Sequence, residues 1–98
     1  MLSLTSTQRS FLRAKAHALH PIVMIADSGL SETLMKELER SIASHELLKV
    51  KVAVDDREVR ESMLQEICTA LNAAPVQHIG KVLVIYRAAA KPKLALPK

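Results

Sequence analysis

The stretch Pro21-Ile-Val-Met-Ile-Ala-Asp-Ser-Gly-Leu-Ser31 restricts the fold more than any other part of the chain. Pro21 closes off helix before it. Ile22 to Ile25 then read as a short buried strand, Ala26-Asp27-Ser28-Gly29 as a tight loop, and Leu30-Ser31-Glu32 as the opening of a helix. A strand that feeds a helix through so short a loop points several backbone N–H groups at one place, a natural seat for a phosphate. It also sets the expectation of a layered α/β domain.

The flanking segments extend that pattern. Thr5 and Gln8 fit a capping box for a first helix reaching about His17. Leu12, Ala16 and Leu19 share one side of it, with Phe11 at the edge. Arg9, Arg13 and His17 recur at i, i+4, i+8 on an adjoining side. Like charges at that spacing mildly oppose the helix and invite an anionic partner; a solvated face fits the spacing equally well. A second helix is expected over Glu32–Ser44, with Leu34, Met35, Leu38 and Ile42 as its apolar stripe and Ser31, Asp27 or Ser28 as capping candidates.

Leu47 to Val54 is the clearest strand: Leu48, Val50, Val52 and Val54 alternate with a face that carries Lys49 and Lys51. The apolar face must be core, and the lysine face should meet solvent or a ligand. Asp55 or Asp56 caps a third helix, whose expected buried stripe is Val59, Met63, Ile67, Ala70 and Leu71, and Asn72 to Pro75 stops it. Val76–Ile79 and Val82–Tyr86 read as a hairpin through Gly80-Lys81, a type II′ signal. The order α-β-α-β-α-β-β predicts one α/β domain with a mixed four-stranded sheet and the second and third helices on one face. The proline- and lysine-containing stretch from Ala88 to Lys98 is expected to be extended or mobile.

The chain has 98 residues, of which 49% are hydrophobic, enough for a domain that folds without metal or disulfide. Phe11 and Tyr86 are the only aromatic residues, so the core is aliphatic and base stacking on aromatic platforms is disfavoured. Charge is unevenly placed. Residues 81–98 hold Lys81, Arg87, Lys91, Lys93 and Lys98 with no acid; residues 1–31 hold Arg9, Arg13 and Lys15 against Asp27; the middle is net acidic. If the ends meet in the fold, one surface is basic and suits an anionic partner.

A lone Cys68 excludes an internal disulfide and a multi-thiolate metal site. The four histidines lack ligand spacing, and no nucleophile elbow, Walker loop or dinucleotide fingerprint occurs. The expectation is a non-enzymatic protein with no metal, cofactor or small-molecule substrate. No apolar run approaches the ~20 residues of a membrane span, and the N-terminus lacks signal-peptide features, so a cytoplasmic protein without membrane association is expected.

Several ordered blocks together resemble the CRS1/YhbY, or CRM, domain family in its stand-alone bacterial form. They are His20-Pro21, Gly29-Leu30-Ser31, His45-Glu-Leu-Leu-Lys-Val-Lys-Val52, Asp56-Arg57 and Val76-Gln-His-Ile-Gly-Lys-Val-Leu-Val-Ile-Tyr-Arg87. The resemblance implies a domain over residues 1–87 followed by a basic tail, 88–98. It implies a fold akin to the C-terminal domain of translation initiation factor 3. It also implies RNA binding, with ribosomal RNA in precursors of the large ribosomal subunit as the expected partner of a monomer acting in ribosome assembly. A protein-binding adaptor on the ribosome or another ribonucleoprotein, with incidental RNA contact, is the alternative.

The expected RNA-binding residues are Arg9, Arg13, Ala26, Asp27, Ser28, Gly29, Lys49, Lys51, Lys81 and Arg87, with Arg57 added because it matches a family position. The family's loop reads Gly-x-x-Gly. Here Ala26 replaces the first glycine and Asp27 brings negative charge, which shifts weight from a backbone clamp to the basic neighbours.

Overall fold

Among the described residues, the apolar periods set out above close into three helices and four strands. The computed structural model describes residues 2–97; Met1 and Lys98, the outer ends of the expected domain and tail, lie outside the described residues. The elements are α1 (Ser6–Ala16), β1 (Val23–Ile25), α2 (Glu32–His45), β2 (Leu47–Val52), α3 (Arg57–Leu71), β3 (Ala74–Ile79) and β4 (Val82–Tyr86). The sheet order is β1-β2-β4-β3, with β1 parallel to β2 and the other neighbours antiparallel. It is the mixed four-stranded sheet that the element order implies.

Caps mark where the helices start. Thr5 and Gln8 form the capping box of α1, each side chain meeting the other's backbone N–H. Ser31 Oγ accepts from Leu34 N–H at 3.1 Å, so Ser31 caps α2 and leaves Asp27 and Ser28 outside that role. Asp56 rather than Asp55 caps α3, accepting from the N–H groups of Glu58 and Val59. Gly80 has φ +54 while Lys81 is absent from the positive-φ residues, the pattern of a type II′ turn among the described residues.

One face of the sheet packs α2 and α3. Its core unites Val23, Ile25, Leu48, Val50, Val52, Leu83 and Ile85 with Leu38, Ile42, Leu64, Ile67, Cys68 and Leu71. The buried side of α3 differs from the expected stripe. Val59 is 41% exposed and Ala70 lies on the surface, while Arg60, Leu64, Ile67, Cys68 and Leu71 are buried. Those positions are the truer i, i+4, i+7, i+8, i+11 series; a charged residue at its head hides it.

The other face has a second core, which the sequence left undecided. Leu12 and Ala16 of α1 pack on Leu47, Val76, Val84 and Tyr86. Leu94 and Leu96 of the tail join them, so of the two expectations for the tail, extended or mobile, the structure shows a docked segment without helix or strand among its described residues. Its anchor is Glu46, only 2% exposed, whose carboxylate accepts from Ala89 N–H at 3.3 Å and Lys93 N–H at 2.7 Å. Glu46 also ends α2 with a positive φ of 63, and its carbonyl accepts from Arg87 N–H. Strain at a non-glycine residue there is offset by these three hydrogen bonds, two of which hold the tail against β2 and β4. Pro75 lies inside β3 rather than before it; β3 is an edge strand, where a missing N–H is tolerated.

Candidate nucleic-acid interface

The layering separates charge. α1, the segment up to β1, and the tail hold Arg9, Arg13, Lys15, Lys91 and Lys93 with no acid before Asp27 and none after Tyr86. They cover the same face to which β2 turns Lys49 and Lys51, because those residues alternate with core residues Leu48, Val50 and Val52. The acids Glu32, Glu37, Glu39, Glu58, Glu61 and Glu66 all lie on α2 and α3, across the sheet. The basic ends do meet.

The Ala26–Gly29 loop sits at one end of this sheet. Gly29 N–H donates to Ala26 C=O at 2.9 Å, closing a turn over Asp27 and Ser28. Gly29 has φ +82, which favours glycine; a Cβ there would meet Met63 Cε at an ordinary 3.6 Å, so backbone conformation sets the requirement. Ala26 is not among the positive-φ residues, so the turn closes without a glycine at that place. Ala26, Asp27 and Ser28 are exposed.

The expected basic residues divide by what they already hold. Lys51 and Arg57 are exposed and make no hydrogen bond or ion pair among the described residues. Lys51 stands in register with Met24, beside the loop, and Arg57 is the first residue of α3 at the same end. Arg9 and Arg13 line the β3 edge, their Nε atoms donating to the carbonyls of Pro75 (3.5 Å) and Val76 (3.3 Å). Lys49 Nζ donates to Leu19 C=O at 3.2 Å and is half-buried.

Lys81 is at the hairpin tip, bridged to Asp55 at 2.6 Å. That bond holds the Asp55 carboxyl below its ordinary value. Arg87 stands apart from the others. It is a fork on Glu39 of α2, and its Nη1 also donates to Leu71 C=O at 2.9 Å. The loop, Lys51, Lys81 and Arg57 therefore gather at one end, Arg9, Arg13 and Lys49 extend the surface along α1, and Arg87 fastens β4 to the helical layer.

The Arg87–Glu39 pair gives a testable pH dependence. The hydrogen bond from Arg87, reinforced by its charge, lowers the Glu39 carboxyl below its ordinary 4.5. A lowered carboxyl contributes stability that is full above about pH 4.5 and fades as pH falls through the folded-state value. Glu39→Gln should therefore melt below wild type at neutral pH and converge with it in acid. Melting curves that stay equally far apart at about pH 3 would contradict this assignment.

A polar network missed by sequence reasoning supports the loop end. Arg60 is 6% exposed. Its Nη1 donates to Val54 C=O (2.9 Å) and Asp55 C=O (2.6 Å), and its Nε donates to His78 Nε2 (3.3 Å). A guanidinium can only donate, so Nε2 accepts and the His78 proton sits on Nδ1, facing Glu61 Oε1 at 3.3 Å. Glu61 is lowered first by its bond from Gln65 and then by His78. The network pins the β2–α3 connection, which carries Asp55 and leads into Arg57, to β3.

Burial pushes the Cys68 thiol up to about 12, so its thiolate is not populated near neutrality. Among the described residues no group of three or more His, Cys, Asp or Glu is placed to hold a metal ion. No helix among them is long and apolar enough to cross a membrane.

Comparison with known proteins agrees with this architecture. The family profile described as the CRS1 / YhbY (CRM) domain matches residues 4–87. A Haemophilus influenzae protein described as an RNA-binding protein is 42% identical over 98 residues, covering 100% of this chain and 99% of its own. A Pseudomonas aeruginosa protein described as a probable RNA-binding protein is 38% identical over 91 residues, 93% of this chain and 88% of its own. The solution structure of a hypothetical Staphylococcus aureus protein of suggested RNA-binding function superposes with a TM-score of 0.86 at 30% identity. It covers 97% of this chain and 100% of that one.

Proposed function

This chain belongs to the CRS1/YhbY (CRM) domain family, and from that premise we propose that it is a non-enzymatic RNA-binding protein of large-ribosomal-subunit assembly, acting on ribosomal RNA in subunit precursors. The observation that carries the RNA-binding reading is the separation of charge across the sheet. Cations from both ends of the chain and from β2 share one face, whereas α2 and α3 on the other carry six acids against Lys36, Arg40, Arg57 and Arg60, a net negative layer. Such a face attracts a polyanion and orients it.

Within that face Lys51, Lys49, Arg13 and Arg9 are the phosphate contacts. Arg9, Arg13 and Lys49 each give one donor to a backbone carbonyl and keep others for a ligand. The exposed loop residues Ala26, Asp27 and Ser28 lie beside Lys51, and Arg57 and Lys81 flank them. Contacts of this kind position RNA without reading its sequence. The ribosomal assignment is drawn from the family resemblance.

Titration with large-subunit RNA fragments tests the phosphate-led reading. About four phosphate contacts should weaken binding by roughly a hundredfold between 50 and 200 mM salt. Binding that ignores salt would overturn it. Crosslinking in cells followed by sequencing of the bound RNA tests the partner: reads concentrated in large-subunit ribosomal RNA are expected, and reads concentrated in other transcripts would remove the ribosomal assignment.

A further inference from the structure

The second core leaves part of its own face of the sheet bare. α1 and the tail cover Leu47, Val76, Val84 and Tyr86, toward one end of the strands. Toward the loop end, one residue from each strand stands in register across the same face: Met24, Lys51, Val82 and Ile79. Met24 is 62% and Ile79 51% exposed, Lys51 is exposed, and Val82 is half-buried against the second core. Ile22, just before β1, is 51% exposed beside Lys49, to whose carbonyl its N–H donates.

A single exposed apolar side chain signifies nothing, but a contiguous row of them marks a surface that is covered in use. Strands lie about 4.8 Å apart, so the row spans roughly 14 Å, the width of two or three nucleotides on a sheet.

We propose that this row is a platform for unpaired nucleotides, with bases laid on Met24, Val82 and Ile79 and the intervening phosphates held by Lys51 and Lys49. The inference rests on the RNA-binding reading above and deepens it by naming the class of RNA: looped or single-stranded rather than continuous duplex. Charge complementarity selects this occupant. The row has a free lysine second in line and no acid, and it continues into the basic α1 and the exposed loop. A nucleotide is both a flat apolar body and an anion, and so matches apolar side chains and a lysine at once. A duplex keeps its bases stacked inside and would leave Met24 and Ile79 unmatched. The row has no aromatic side chain, so its preference for unpaired bases should be moderate and tolerant of sequence.

The test compares two RNAs that share one stem, a hairpin with an eight-nucleotide loop and a blunt duplex. They are titrated against the full chain and the variant Met24→Ala/Ile79→Ala. Both positions are exposed, so folding should persist; Met24→Leu serves as the conservative control. Wild type should favour the hairpin about tenfold. The double variant should lose most of that preference with duplex affinity and salt dependence unchanged, and Met24→Leu should keep it.

Equal wild-type binding to both RNAs, or a preference that survives in the double variant, overturns the platform while leaving RNA binding intact. Failure of wild type to bind either RNA defeats the underlying RNA-binding reading, and the platform with it. Light scattering adds a further outcome: a wild-type dimer that the double variant converts to monomer would show that a second copy of the chain covers the row, and would also overturn the proposal.

Discussion

Replacing Arg13, Lys49 and Lys51 together with glutamate is expected to weaken binding to structured RNA by two to three orders of magnitude at about 0.1 M salt. The three positions span the basic face from the β3 edge to the loop end. Lys49 and Lys51 lie two residues apart on one side of β2, about 7 Å, and Lys51 has no partner among the described residues. Each phosphate contact contributes a slope of about 0.7 to 0.9 in log K against log salt, so loss of three forfeits about two to three log units at 0.1 M. Repulsion from the new carboxylates adds to that.

The fold should survive. Arg13 and Lys51 are exposed, and Lys49 gives up only its bond to the Leu19 carbonyl. Circular dichroism and a melting curve check this. The salt dependence of the residual binding should flatten as the affinity falls. If the folded variant co-sediments with ribosomal precursors as wild type does, protein contacts hold it there, and an adaptor role replaces the RNA-led one.

The second large effect concerns stability. Arg60→Ala should destabilise the domain by about 3–5 kcal/mol and lower its melting temperature by about 15 °C or more. The side chain satisfies the carbonyls of Val54 and Asp55 and the Nε2 of His78, all at the loop end of the sheet. Truncation leaves these acceptors without a donor and opens a gap beside Leu64. Because a domain of this size has a net stability of only about 5–15 kcal/mol, the change is a large fraction of the whole.

Arg60→Lys should recover part of the loss, since an ammonium reaches fewer of the three acceptors. Hydrogen exchange should show the amides from Val54 to Glu58 and the Gly80-Lys81 turn opening first, because the network ties them together. A loss under about 1 kcal/mol would mean that water replaces the guanidinium without penalty, and the network would then be incidental.

What local pattern could reach was largely legible in the sequence. The alternation of Leu48, Val50 and Val52 and the stripe of Leu38 and Ile42 set the first core, because each needs only a period of two or 3.6. Thr5, Ser31 and Asp56 mark helix starts because capping is a contact between near neighbours. Gly29 and Gly80 mark turns because their backbone conformations exclude most other residues. Along the chain, the basic ends and acidic middle were also plain.

Which charges are free depends on packing. Arg87 and Lys81 read as basic residues like Lys51, yet Glu39 and Asp55, distant in sequence, engage them. Arg60 carries no signal in the sequence, and its role appears only where the Val54 and Asp55 carbonyls and His78 converge on it. Nothing in the sequence marks Glu46 for burial, which follows from the tail returning to donate two amides to it. Whether α1 would cover the lysine face was undecidable from its own stripe, which says that Leu12 and Ala16 are buried but not against what. It covers the end with Leu47 and Tyr86 and leaves the end with Met24, Lys51 and Ile79 open. A period in sequence records which side of an element is apolar; partners that satisfy a charge or cover a face come from elsewhere in the chain, and only packing brings them together.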